Sequence, residues 1–206
     1  MGISSLGYIT IEATNLDQWR FFGCQILGLM DVSEQCLAQA NKNNSSQESS
    51  DVYLKMDAYP YRFLITHGEQ DRFLCPGWEV ANANQFETLL DQLSKRGMSF
   101  QTGSETETSR RKVKEYAIVT DPTGTQFELY YGMQIDYTAL ISPTGVKEFI
   151  TGHNGDMGLG HIAVSTPNLA SSHAFYRDEL GFGQIDYMHF RYTDDPQDPG
   201  QGLHFL

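Results

Sequence analysis

At 206 residues, with 40% hydrophobic and 19% charged, the chain has room for one large domain or two small ones and can bury an ordinary globular core. Its 14 Lys and Arg against 26 Asp and Glu give a formal net charge of −12, a field that repels phosphate backbones and anionic lipid and so disfavours nucleic-acid and membrane partners. No signal peptide and no apolar run near the ~20 residues of a membrane span can be read, and three cysteines without a CxxC pair argue against a disulfide framework; the expected compartment is the reduced cytoplasm.

Tyr8-Ile9-Thr10-Ile11 alternates as a half-buried strand does. Asn15 then stands where a helix N-cap belongs, Trp19, Phe22 and Ile26 follow at helical spacing, and Gly28 supplies a left-handed stop. The tract Gln39 to Asp51 is polar and predicts an exposed loop between two strands. Trp78-Glu79-Val80 predicts a short strand, and Asn82 or Asn84 can cap a helix carrying Phe86, Leu89, Leu90 and Leu93, which Gly97 ends. Arg110-Arg111-Lys112 with Lys114 reads as a basic run on a solvated loop. Tyr116 to Val119 predicts a strand, Asp121-Pro122-Thr123-Gly124 a turn, and Phe127 to Tyr131 another strand. Residues 133–156, with Pro143, Gly145, Gly152 and Gly155, read as a connector. His161-Ile162-Ala163-Val164 predicts a further strand, Asn168 a further cap, and Phe175, Tyr176 and Leu180 a further helix stopped by Gly181. Thr193 to Gly202 reads as a loop, and Leu203-His204-Phe205-Leu206 opens a strand.

Two of these segments are the same unit. Under a constant shift of 153, Leu6, Gly7, Ile9, Asn15, Leu16, Phe22, Leu27 and Gly28 meet identical residues at Leu159, Gly160, Ile162, Asn168, Leu169, Phe175, Leu180 and Gly181, eight gapless identities across 23 positions. Each copy reads strand, helix, return strand, and a more diverged unit of the same plan lies between them.

These segments resemble the extradiol dioxygenases of the vicinal oxygen chelate superfamily. The likeness rests on SLGYITIEAT, YLKMDAYPYR, HGEQDR, GWEVANA, DPTGTQFELYYG, GLGHIAV and FYRDELGF, and covers essentially the whole chain. Tyr53 to Asp57, Gly68 to Arg72 and Gly77 to Glu79 incline it toward the branch that opens steroid-derived catechols, beside the one that opens 2,3-dihydroxybiphenyl. The resemblance implies an α+β fold of paired βαβββ modules, two complete and part of a third: residues 1–132 as a metal-free pair, 133–156 as a connector, and 157–206 as the incomplete start of the iron-binding half. It implies ring cleavage beside the diol, with iron(II), a catechol-type substrate and dioxygen, in a chain that is a homo-oligomer at full length. A chain stopping at Leu206 would on this reading be inactive alone. The alternative is a metal-free module of the same superfamily that encloses a small molecule without reacting with it.

Iron oxygenases of this chemistry hold the metal on one face with two histidines and a carboxylate, leaving adjacent positions for catecholate and dioxygen. By its match to the GxGH segment, His161 is the first of these histidines; the resemblance places the others, and the proton-transferring groups, after Leu206. Glu128 occupies the carboxylate position of an Asp-Pro-x-Gly-x-x-x-Glu pattern, but Tyr8 stands where the repeat puts His161, and Cys75-Pro76-Gly77 offers no histidine. Tyr, Cys and Glu make a poor iron(II) set, so Glu128 is expected to be structural and, if buried, paired. His67, His153, His173, His189 and His204 lack partners at ligand spacing, with His173 expected on an exposed helix face, and Cys24 is expected to pack rather than react.

Overall fold

Alternation places Tyr8 and Thr10 on one face of the first strand and Ile9, Ile11 and Ala13 on the other, and both faces become covered. In the computed structural model, which describes residues 2–41, 50–151 and 158–206, this strand β1 runs Ile3–Ala13 at the middle of an eight-stranded sheet. Two units of identical topology meet there. The first is β1, a helix α1 (Leu16–Phe21), then β2 (Met30–Asp31), β3 (Val52–Lys55) and β4 (Phe63–His67). The second is β5 (Arg72–Val80), helix α3 (Ala83–Lys95), β6 (Phe100–Thr102), β7 (Glu115–Thr120) and β8 (Gln126–Tyr131). In each, the first strand pairs parallel with the last, which pairs antiparallel with the third, and that with the second. β1 and β5 join the units antiparallel, giving the order β2-β3-β4-β1-β5-β8-β7-β6. The chain is thus built on paired βαβββ modules.

The helices start where their caps require. Asn15 accepts from the Gln18 amide at 3.0 Å and Asn82 from the Gln85 amide at 3.0 Å, satisfying donors that would otherwise be orphaned. Phe86, Leu89, Leu90 and Leu93 of α3 are buried, and Gly97 ends the helix at φ 76°. After α1 the backbone widens into a π-turn over Phe22–Ile26 and stops at Gly28, φ 74°.

Each module also inserts a short helix between its second and third strands, α2 (Ser33–Asn41) and α4 (Glu105–Arg111), and sequence reading missed both. The expected loop over 39–51 is corrected at its ends. Residues 39–41 finish α2, and Asp51 is buried where Arg110 Nε reaches its carboxylate at 2.6 Å; residues 42–49 lie outside those described.

The repeat persists into the third segment with the same detail. Helix α5 (Leu169–Ala174) is capped by Asn168, passes into a π-turn over Phe175–Glu179 and ends at Gly181, φ 76°. The closing bond of Leu29 to Gly23 is matched by Phe182 to Tyr176, 153 positions on. The strand expected at His161–Val164 is not formed, because among the described residues no neighbouring strand pairs with it. Instead β9 (Asp186–Phe190) and β10 (Gln201–Phe205) make a separate antiparallel hairpin.

This third segment is docked on β1 of the first module and on the second module. The Leu159 amide donates to the Leu6 carbonyl at 2.8 Å, Phe175 and Leu180 enter the core of α3, β5 and β8, and Arg96 pairs with Glu179. Asp121, whose Oδ1 already accepts the Thr123 and Thr125 amides of its own turn at 2.8 and 2.9 Å, takes the Tyr176 hydroxyl on Oδ2 at 3.3 Å. Residues 133–151 of the connector fold back over the first module: Asp136 accepts from Lys55 at 2.7 Å, and Phe149 packs beside Trp19 and Phe63. No helix among the described residues is long and apolar enough to cross a membrane.

Candidate metal centre

Strand register brings the sequence candidates of the first two modules into one row. Tyr8 of β1 stands opposite Gly77 of β5, and Gly77 opposite Glu128 of β8. The turn Asp121–Gly124, closed by the Gly124 amide on the Asp121 carbonyl with Gly124 at φ 93°, sets the phase of β8 so that Glu128 faces inward. Because Gly77 has no side chain, the Tyr8 ring lies across it and the phenol reaches Glu128 Oε2 at 2.5 Å. Two pairs further along, Thr10 Oγ1 lies 3.2 Å from Cys75 Sγ.

A residue that sequence reading placed elsewhere completes the cluster. Arg111 was expected on a solvated loop; it is buried, with Nε on Glu128 Oε2 at 2.7 Å and Nη2 on Oε1 at 2.5 Å. Its guanidinium lies over the Tyr116 ring, 4.2 Å from the centroid, and also pairs with Glu107 one helical turn back. Its carbonyl accepts the Tyr61 hydroxyl at 2.9 Å. Lys112 follows in the left-handed region at φ 57° and sends Nζ to the Cys36 carbonyl at 2.5 Å. The basic run is turned inward because a buried carboxylate needs a cation. The signal that could have found Arg111 is this requirement, with the Glu107–Arg111 spacing of an amphipathic turn; Gly77, between Pro76 and Trp78, gave no signal.

The electrostatics follow from burial. Desolvation first, then the Glu128 charge, hold the Tyr8 hydroxyl well above the ordinary phenol range. Burial, then Glu128, push the Cys75 thiol up to about 12. Desolvation works against the Arg111 charge, but its bonds to Glu128 outweigh that and hold it protonated. Both oxygens of the Glu128 carboxylate are thus engaged, Oε2 by Tyr8 and Arg111 and Oε1 by Arg111. Such a closed cluster can staple strands.

His161 is elsewhere and differently placed. It follows Gly160 at φ 112° on an extended, exposed stretch. Among the described residues no group of three His, Cys, Asp or Glu side chains converges to hold a metal. A facial iron site needs three such ligands, so these residues do not by themselves fit iron(II). His173, expected on an exposed face, is half-buried: its Nε2 lies 3.1 Å from Gln184 Oε1 and its ring meets that of His204 edge-on at 4.6 Å. His189 Nε2 lies 2.9 Å from the Pro199 carbonyl. Cys24 packs in the core under α1.

Comparison with known proteins gives this geometry a context. Residues 6–37 match the family model described as dihydroxybiphenyl dioxygenase BphC D1. An iron-dependent extradiol dioxygenase of Rhodococcus jostii is 36% identical over 188 residues, 91% of this chain and 57% of its own. A biphenyl-2,3-diol 1,2-dioxygenase of Paraburkholderia xenovorans is 30% identical over 99% of this chain and 63% of its own. The crystal structure of BphC, a halotolerant catechol dioxygenase, superimposes with a TM-score of 0.81 at 26% identity, covering 99% of this chain and 61% of that one. The chain thus spans less than two thirds of the length of the relatives it matches.

Proposed function

We propose that the chain belongs with the BphC-type extradiol dioxygenases and that it forms the metal-free module pair and the opening of the metal-binding half of an enzyme that cleaves a catechol-type ring beside its diol. The observation that carries the reading is the 36% identity to the Rhodococcus jostii dioxygenase across 91% of this chain. The reaction of the whole enzyme uses iron(II) and dioxygen, and its substrates are of the 2,3-dihydroxybiphenyl or steroid-catechol class.

Within that proposal residues 1–132 are the metal-free domain, 133–156 the connector and 157–206 the start of the iron-binding domain. His161 is one iron ligand of the whole enzyme, while Tyr8, at the equivalent place of the first copy, serves the Glu128 cluster instead. The contacts of Leu159 with Leu6 and of Tyr176 with Asp121 hold the His161 segment against the metal-free pair.

The test is a chimaera in which this chain is followed by the portion of the Rhodococcus jostii relative beyond the match. After anaerobic loading it should hold one iron per chain, take up oxygen on 2,3-dihydroxybiphenyl or a steroid catechol, and form a yellow ring-fission product. His161→Ala should abolish iron and turnover, and Glu128→Gln should keep the iron. Full iron in the His161→Ala variant, or no oxygen uptake on any catechol by a folded, iron-loaded chimaera, would reject the reading. The 206-residue chain alone should bind iron(II) only weakly and show no ring cleavage.

A further inference from the structure

The buried aromatic rings sort by whether they carry a hydroxyl. The core around α3 buries Phe86, Phe127 and Phe175, whereas the core on the Tyr8 face of the sheet buries Tyr8, Tyr53, Tyr59, Tyr61, Tyr116 and Tyr130. Packing alone favours phenylalanine at such sites, because a buried hydroxyl must find a partner. The Tyr130 hydroxyl, buried against Gly7, finds none among the described residues. Four of these rings form a row across the sheet: Tyr53 on β3, Tyr61 just before β4, Tyr8 on β1 and Tyr130 on β8. Their centroids are 5.1 Å apart from Tyr53 to Tyr61, 5.5 Å from Tyr61 to Tyr8 and 5.0 Å from Tyr8 to Tyr130, which puts neighbouring π-systems in contact.

We propose that this row is a one-electron relay, and that the Tyr8–Glu128 pair is where an oxidising equivalent comes to rest. The four phenols differ in what can receive their proton. Losing an electron makes a phenol a very strong acid, so the radical settles only where a base within hydrogen-bond reach takes the proton. Tyr53 and Tyr61 donate to the carbonyls of Arg110 and Arg111, which are poor bases, and Tyr130 has no acceptor among the described residues. Tyr8 alone of the four donates to a carboxylate, Glu128 Oε2 at 2.5 Å. In the step, one electron passes from the Tyr8 ring to the oxidant, the phenolic O–H bond breaks, and the proton forms an O–H bond on Glu128. The products are a neutral phenoxyl radical, a neutral carboxylic acid and the reduced oxidant. Charge favours the same outcome. Glu107 and Glu128 share the Arg111 cation, while Arg110, which also approaches Glu107, is matched by Asp51. That leaves one negative charge in excess beside Tyr8, and losing one electron removes it, with Arg111 still balanced by Glu107. The oxidant is of the class of outer-sphere one-electron acceptors strong enough to oxidise a phenol. The inference rests on ring and proton geometry and stands or falls separately from the reaction proposed above.

Flash oxidation of the 206-residue chain by photogenerated tris(bipyridine)ruthenium(III), with a cobalt(III) quencher, tests it. Tyr137, Tyr187 and Tyr192 are 90%, 66% and 76% exposed and are first replaced by Phe so that they do not compete. A sample frozen after the flash should give the electron paramagnetic resonance signal of a tyrosyl radical. One exchangeable proton should couple strongly to the phenoxyl oxygen across its hydrogen bond. Tyr8→Phe and Glu128→Gln, each checked for folding by circular dichroism, should lower the radical yield at least tenfold. Replacing both neighbours, Tyr61→Phe with Tyr130→Phe, should slow formation and leave the spectrum unchanged; an unchanged rate would overturn the relay. No radical at all, an unchanged yield in folded Tyr8→Phe, or a signal that Cys75→Ser removes would overturn the resting place. Should the variants fail to fold, the coupled proton seen with Tyr8 and Glu128 intact decides: its presence supports the proposal, and a radical without it overturns it.

Discussion

Tyr8 and Glu128, 120 residues apart in the chain, are joined by a hydrogen bond of 2.5 Å that runs over the bare backbone of Gly77 and ties the two modules across their shared sheet. The bond is charge-assisted and out of water, so its loss is costlier than that of an average surface bond. Tyr8→Phe should lower the unfolding free energy by about 1.5–3 kcal/mol, the range for a hydrogen bond to a charged group. Urea denaturation should show a lower midpoint with an unchanged slope. A loss below about half a kcal/mol would mean that the carboxylate finds its bond elsewhere.

The Arg111–Glu128 pair obeys a different arithmetic, because each partner is buried by the other's charge. Removing one leaves an uncompensated charge in the core, at about 3–5 kcal/mol, whereas replacing both by apolar groups of similar volume can be nearly neutral. Arg111→Met and Glu128→Leu should each be strongly destabilising, and the double variant should recover much of the loss. A double variant whose loss equals the sum of the two singles would show that the pair is not coupled.

Gly77 is required by close approach and not by its backbone angle. A methyl group there would be driven into the Tyr8 ring. Gly77→Ala should therefore cost about 1–3 kcal/mol by overpacking, with Tyr8 pushed off Glu128. In the Tyr8→Phe background that added cost should persist, since the ring remains, and Tyr8→Ala should relieve it.

How far the sequence could be read depended on whether the determinant was local. Asn15, Asn82 and Asn168 cap helices through bonds within three residues, and Gly28, Gly97 and Gly181 stop them by their own φ, so these ends were legible. The paired modules followed from the repeat and the family resemblance. What escaped was set at long range. Arg111 is buried because of Glu128, seventeen positions on and two elements away, and its basic neighbours gave the opposite impression. The His161–Val164 stretch has the alternation of a strand, but pairing requires an adjacent strand, which alternation cannot supply. The π-turns were unreadable too, yet both copies of the repeat carry one, so the shared Phe, Leu and Gly spacing encodes more than the stop.

The inner core predicts a marked sensitivity to alkali. Tyr8, Tyr61 and Tyr130 are fully or almost fully buried, and burial above all holds their hydroxyls well above 10.0. Cys36 and Cys75 are likewise pushed by burial from 9.0 to about 11 and about 12. For each group the folded chain keeps a proton that the unfolded chain releases, so the folded pKa is the higher one. The stability they contribute is then fully present below pH 9 and is lost as pH rises from about 9 through 12. Urea midpoints should be level with respect to these groups up to pH 8 and fall steeply above pH 9. Phenolate absorbance near 295 nm from the buried rings should appear in one step, together with the loss of tertiary structure. Substituting Tyr8 and Tyr61 with Phe removes two of the protons involved and should flatten the fall, even though it lowers stability at neutral pH. Gradual phenolate formation by all tyrosines near pH 10, with the fold intact, would show that the inner face is open to water and that the Tyr8–Glu128–Arg111 cluster is not closed as described.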